Sequence, residues 1–491
     1  MDMINDVVLA GGDMLWTWIV LPIVIGLGVY FTVRTGGVQI RLIPEMFRTL
    51  RNPTPKDADG NPQSVSAFQA FTISAASRVG VGNIAGVGTA IAVGGPGAVF
   101  WMWLMALLVG SSSFIESSLG QLFKVRDADG FRGGPAYYIQ RGLKARWAGI
   151  LFAVILIICF PFAFAALQAN TIVATVGATV APEGAPGWVS WLVGGPIAAS
   201  TAPVVFGRAR RIASVTQAVV PGMALLYLLI GLIIVAINIQ NVPAMIGVIF
   251  AEAWGLNGVF GAALGTIIMT GVKRGMFSNE AGLGSAPNAG ATAAVTHPVK
   301  QGLVQTLGVY FDTLLVCSIT AFIILSSNPN LETAVRGITL TQDAIVGTLG
   351  PWAGILLSIV VFLLAFSSIL GNYYYGESNI EFITAKPMVR TVYRVLVVVA
   401  ILLGSVASAD LIWNTADALM GLMALVNLVA IALLSPVAFR LLKDYSAQRK
   451  AGRDPVFTRD RMPDVHGIEC WEDELSVTGP IEVPVVRAPR R

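Results

Sequence analysis

Ser77-Arg78-Val79-Gly80-Val81-Gly82-Asn83, with Gly86 and Gly88 after it, interrupts an otherwise apolar run over 68–94. A second run, 257–285, contains Gly271-Val272-Lys273-Arg274-Gly275-Met276-Phe277-Ser278-Asn279-Glu280-Ala281-Gly282-Leu283-Gly284. A glycine costs about 1 kcal/mol in a helix interior, and polar groups inside a bilayer cost more. Both segments therefore predict membrane helices unwound near their middles. Backbone that is not helical at that depth is tolerated where protein buries it or a water-filled cavity receives it.

Working outward, the chain divides into eleven apolar segments, at 15–33, 68–94, 97–122, 148–180, 188–206, 213–238, 257–285, 301–326, 352–381, 393–409 and 411–438. About 20 residues span the hydrocarbon core. Five spans separate the start of one broken segment from the start of the other. An odd number per repeat makes the two halves inverted, an architecture that places a transporter's site at the membrane midplane. The expected fold is all-α and multi-pass, with eleven transmembrane helices in inverted five-helix repeats. Residues 1–67 form an outer N-terminus, a first helix and a cytoplasmic loop. The repeats occupy 68–238 and 257–438, an outer interfacial helix 239–256, and a cytoplasmic tail 439–491. The tail is polar, basic and Pro-containing, which predicts partial disorder. Residues 328–350 are read as an outer loop.

Basic residues orient the chain by the positive-inside rule. With the N-terminus outside, the inner segments 34–67, 123–147, 207–212, 286–300, 382–392 and the tail hold all but five of the 32 Lys and Arg. The exceptions are Arg336 outside, Arg394 at the foot of the tenth span, and Arg78, Lys273 and Arg274 within spans. This predicts a cell inner-membrane protein, N-terminus outside and C-terminus cytoplasmic. The first 13 residues carry three Asp and no Lys or Arg, so no cleavable signal is expected.

Composition excludes most other classes. Of 491 residues, 55% are hydrophobic and 12% charged, against about 25% charged in soluble domains. Mean hydropathy is +0.73. Three separated cysteines and two histidines cannot build a metal cluster or a disulfide framework. There is no Gly-Lys dipeptide and so no Walker A loop, and no HExxH zinc pair. The net charge of +4 follows topology, so no nucleic-acid partner is expected.

Four motifs resemble the alanine or glycine:cation symporter family, the sodium:alanine symporters. They are Gly82 to Trp103 (GNIAGVGTAIAVGGPGAVFWMW), Lys273 to Pro287 (KRGMFSNEAGLGSAP), His297 to Gly302 (HPVKQG) and Gly371 to Glu377 (GNYYYGE). The resemblance covers about residues 10–440 and implies a LeuT-like core. It implies a sodium-coupled symporter of small neutral amino acids, with sodium as the co-transported ion and no other cofactor. Proton coupling and, more remotely, a channel are the alternatives.

The residues themselves offer chemistry for that task. N–H groups of Gly80, Val81 and Gly82, freed by unwinding at the start of a half-helix, suit a carboxylate. Asn83 offers an amide to a carboxylate or an ion. Freed carbonyls of Ala76 and Val79 suit sodium. By the resemblance, Ser367 and Ser368 complete that sodium site, Ser368 also lies at the substrate, Gln168 approaches it and Phe277 walls it. Asn372 stands where some relatives carry Trp, which predicts room for serine or glutamine. Arg78, Glu116, Glu280, Asp312, Glu377 and Asp417 are ionisable groups within spans. They are expected in structural or gating pairs, with Glu280 or Glu377 the expected partner of Arg78.

Overall fold

A computed structural model describes all residues except 1, 57–59, 128–129, 182–185, 208, 256–262, 332–336 and 479–491. Its long helices are α1 (Asn5–Thr35), α2 (Ala67–Arg78), α3 (Ala85–Gly94), α4 (Gly97–Leu122), α5 (Arg146–Val180), α6 (Gly187–Val205) and α7 (Ala209–Ile237). There follow α8 (Val242–Glu252), α9 (Leu264–Asn279), the short α10 (Ala286–Gly290), α11 (Pro298–Ser326), α12 (Ile338–Leu349), α13 (Trp352–Ile383), α14 (Pro387–Val406) and α15 (Ala409–Lys450). Among the described residues, nine helices are long and apolar enough to cross a membrane. The pair α2 and α3, bent by 59°, makes a tenth. The expected seventh span appears as α9, whose 16 residues reach about 24 Å. That is short of a crossing without the break and α10 that follow.

Both broken helices are present, with narrower breaks than the glycine pattern suggested. Helix α2 starts at a capping box, Ser66 Oγ accepting from Gln69 N and Gln69 Oε1 from Ser66 N. It stays helical through Ser77 and Arg78 and unwinds only at Val79–Gly80, with a single 3-10 turn at Val81–Asn83 before α3. In the second, Gly271 and Gly275 are helical, and Gly271 lets α4 approach so closely that a Cβ there would lie 2.5 Å from the carbonyl oxygen of Ala98. The helix ends at Asn279, and Glu280, Gly282 and Gly284 all take positive φ. Those two glycines adopt a left-handed backbone at no steric cost. The breaks face each other across the centre of the bundle, Ser77 meeting Glu280 and Asn83 meeting Ser278.

Two expectations need correction outside the core. Residues 328–350 contain α12, and Thr341 on it donates to the carbonyl of Ile84 beside the first break. The described part of this segment is thus mostly a helix laid beside the site rather than a loop. The tail is ordered as far as Thr478, because Phe457, Cys470 and Trp471 supply apolar anchors that a compositional reading overlooks. Residues 479–491 lie outside the described residues. The segment 239–256, expected to be an outer interfacial helix, contains the helix α8. A two-stranded hairpin, Val125–Asp127 with Gly130–Arg132, decorates the loop between α4 and α5.

The basic loops 34–67, 123–147 and 286–300 and the tail all meet at one end of the bundle, through pairs such as Arg48–Asp454, Arg126–Glu472 and Lys300–Asp454. At this end His297 caps α11, its Nδ1 accepting from Val299 N and its Nε2 facing Asp444 at 3.2 Å. Burial pushes the imidazole down to about 4. The native protein then refuses a proton that the unfolded chain accepts below about 6.5. Stability is expected to fall as pH drops through that window, read as a lower Tm in detergent. His297→Asn should flatten the fall.

Candidate functional site

The centre of the site is the first break. A continuing helix would send Gly80 N to the carbonyl of Ala76 and Val81 N to that of Ser77. Instead Gly80 N donates to Asn83 Oδ1 at 2.9 Å, and Val81 N to Gln168 Oε1 at 3.1 Å. Asn83 N turns to the carbonyl of Gly80 rather than that of Val79. Carbonyls on Ala76 and Val79 are thereby released from the helical ladder, as the sequence suggested.

Gly80 and Gly82 are required by close approach. A Cβ on Gly80 would lie 2.2 Å from Ser368 Oγ and 3.1 Å from the Gln168 amide. A Cβ on Gly82 would lie 2.8 Å from the Phe277 ring. Gly80, Gly82, Gln168, Ser368 and Phe277 are thus brought together, with Val81 held by Gln168. Phe277 is stacked between Phe164 and Trp413, with ring centroids 4.6 and 5.1 Å away. Phe164 and Gln168 are four residues apart on α5 and share a face. That spacing was available in the sequence, whereas nothing there marks Trp413.

Three expected ligands stand differently. Asn83 Nδ2 donates to Ser278 Oγ at 2.9 Å and to Asp312 Oδ1 at 2.6 Å, so its amide is already engaged. Asp312, with no exposed surface, also accepts from Ser278 and Thr313. The site therefore contains a buried carboxylate ringed by hydroxyls and an amide. Ser367 and Ser368 both return a hydroxyl bond to Leu364, but Ser367 lies against Met223 of α7 at 3.3 Å while Ser368 faces Gly80. Asn372 is fully buried against Ser77, which donates to Glu280. A hydroxyl has one proton. Ser77 Oγ lies 2.7 Å from Asn372 Oδ1, so its one proton is shared between that amide oxygen and Glu280.

The second break is built to be full. Gly282 N and Gly284 N donate to the two oxygens of Glu116 at 3.2 and 3.1 Å, and Asn427 adds a third bond at 2.7 Å. Glu280 holds Ser77 and Ser285, and so joins the two breaks. Arg78 pairs with neither expected carboxylate. Its Nη1 donates to the carbonyl of Gln305 at 3.0 Å, and Glu377 pairs with Arg394 at 2.7 Å. The Arg78 side chain fits a notch at Gly308, where a Cβ would meet Nη1 at 2.1 Å.

At the end opposite the basic loops the site is roofed. Arg274 is paired with Asp417 and lies over the rings of Trp413 and Phe277, at 4.7 and 5.8 Å. Lys273 reaches Asp13 of α1 at 2.6 Å. Removing one partner of a buried pair costs about 3–5 kcal/mol, whereas exposed pairs contribute about 0–1 kcal/mol. Asp417→Ala should therefore lower Tm in detergent far more than Asp13→Ala, because Asp13 is half exposed. Equal shifts would deny the pair its role as a roof.

Comparison with known proteins agrees with this geometry. The chain is 48% identical over 472 residues to the amino-acid carrier protein AlsT of Bacillus subtilis, covering 96% of this chain and 98% of that one. It is 45% identical over 468 residues to the probable sodium/glutamine symporter GlnT of the same organism, covering 95% and 96%. Its fold matches a crystal structure of MhsT in complex with L-phenylalanine, with a TM-score of 0.56 and 13% identity, over 87% of this chain and 97% of that chain. The expected LeuT-like architecture is thus present. Residues 1–459 match the description "Sodium:alanine symporter family". The chain is a multi-pass membrane protein and belongs to the sodium:alanine symporter family, whose activity is amino-acid:cation symport.

Proposed function

We propose that this chain is a sodium-coupled symporter that imports small neutral amino acids, alanine and glycine and also serine or glutamine, by alternating access. The observation that carries this reading is the inequality of the two breaks. At the second, a carboxylate already occupies the N–H groups of Gly282 and Gly284. At the first, neutral amide oxygens of Asn83 and Gln168 hold the N–H groups of Gly80 and Val81. An incoming amino-acid carboxylate displaces those amides with a net gain, since bonds to a charged acceptor are about twice as strong as neutral ones. Phe277, Phe164 and Trp413 limit the volume above it and favour a short side chain.

Sodium prefers hard oxygen ligands. The carbonyls of Ala76 and Val79 with Ser368 offer one such set, and the hydroxyls around Asp312 another. Each inward charge contributes about 2.3 kcal/mol per 100 mV. Uptake of labelled alanine into proteoliposomes tests the coupling. A sodium gradient should drive accumulation and a proton gradient alone should not. Equal accumulation with protons alone would favour proton coupling.

The name of the glutamine relative supports a wide substrate range. Asn372→Trp should keep alanine transport and lose competition by glutamine, read from inhibition of labelled alanine uptake by a panel of amino acids. An identical ranking in both proteins would remove Asn372 from the specificity pocket. Orientation with an outer N-terminus rests on the basic loops gathered at the tail's end of the bundle. Single cysteines at Val7 and Lys450, both exposed, should label from opposite sides. Labelling of both from one side would contradict it.

A further inference from the structure

Residues 451–478 carry more contacts than a tail needs in order to be soluble. Phe457 N donates to the carbonyl of Thr296 at 2.9 Å, and Thr296 Oγ1 to that of Pro455 at 2.8 Å, which fixes the tail to the segment before α11. Trp471 Nε1 donates to the carbonyl of Gln121 at the end of α4, and Lys124 lies 4.5 Å over the Trp471 ring. Gln63, just before α2, donates to the carbonyl of Ser476 at 3.1 Å. Glu469 pairs at 2.5 Å with Arg141, which leads into α5. Arg459 N closes on the carbonyl of Trp471 at 2.8 Å, so the strap is also tied to itself.

One segment thus grips the inner ends of α2, α4, α11 and the approach to α5. These helices supply the site from both of its sides: Gly80 follows α2, Asp312 is on α11 and Gln168 is on α5. Alternating access requires one group of helices to rock against another around the site. A segment fastened to all of them cannot stay fastened while their inner ends part. Its fastenings are of two kinds. Phe457 and Trp471 are buried anchors. The pairs of Glu469 with Arg141 and Glu472 with Arg126 are partly exposed and so weakened by salt.

We propose that residues 451–478 form a releasable strap that holds the inner gate closed, and that opening of the site toward the tail's side requires its detachment. The proposal rests on the symport reading for the transport assay and for sodium as the ion, so two readouts are paired.

The first is a lock. Cysteines at Gln63 and Ser476, in a Cys470→Ser background, are joined by a short thiol crosslinker that a reductant cleaves. Sodium-driven alanine uptake should fall at least tenfold on crosslinking and return on reduction. Uptake unchanged by crosslinking would overturn the strap. The second readout needs no amino acid. Cys470 is buried in the strap, and the other two cysteines, Cys159 and Cys317, are buried within spans. Alkylation of Cys470 in open membranes should be several-fold faster without sodium than with it, because removing the ion releases the inward-closed, ion-loaded arrangement in which the strap is fastened. Alkylation at one rate in both conditions would overturn the strap. A protein whose alanine uptake before crosslinking does not respond to sodium would count against the sodium reading, and the crosslink is then scored on proton-driven uptake, which should still fall at least tenfold if the strap must detach.

Discussion

Gly80→Ala is expected to lower kcat/KM for alanine uptake by 100-fold or more while leaving the protein folded. The added methyl would lie 2.2 Å from Ser368 Oγ and 3.1 Å from both polar atoms of the Gln168 amide. Overpacking typically costs about 1–3 kcal/mol, and here the strain falls on three groups that shape one cavity. A factor of 100 corresponds to about 2.7 kcal/mol. The cause is checked by relieving the clash: Ser368→Gly added to Gly80→Ala should recover part of the uptake. A single variant with normal kcat/KM would mean that the first break is not where the substrate binds.

Asp312→Asn should weaken sodium activation by one to two orders of magnitude. Asp312 accepts from Asn83, Ser278 and Thr313 with no exposed surface. Charged acceptors contribute about 1.5–3 kcal/mol per hydrogen bond. The neutral amide loses the charge that attracts a cation and presents a donor where the cluster needs an acceptor. The discriminating measurement is uptake against sodium concentration at saturating alanine. A higher half-saturating sodium with near-normal maximal rate is the expected form. An unchanged sodium curve would leave Asp312 as a structural group that only holds Asn83.

The architecture was legible because the bilayer penalises glycine and charge so heavily that two interrupted spans stand out against apolar neighbours. The breaks themselves were read too wide. Glycine in a helix has two uses, and the sequence does not separate them. Gly271 serves close packing against α4, whereas Gly80, Gly282 and Gly284 serve the break. Within the site, Gly80 and Gly82 follow from the unwinding, and Gln168, Phe277 and Ser368 from the family resemblance. The engagement of Asn83 by Asp312 does not, because it depends on the rotation of α11 about its axis. Arg78 shows the same limit. A charge within a span demands a partner, and the sequence offers two carboxylates, Glu280 and Glu377, but the observed partner is a backbone carbonyl. The tail was misread for a different reason. Average polarity describes a segment that cannot fold alone, whereas Phe457 and Trp471 need only the adjoining end of the bundle to bury them.

The central claim is that amino acid and sodium meet at the break between α2 and α3. Equilibrium binding of labelled alanine to the purified protein, measured with and without sodium in wild type and Gly80→Ala, tests it most directly. The account predicts saturable binding in wild type that tightens at least tenfold with sodium, and none in the variant at the same concentrations. Alanine binding that is indifferent to sodium, or that survives Gly80→Ala unchanged, would contradict it.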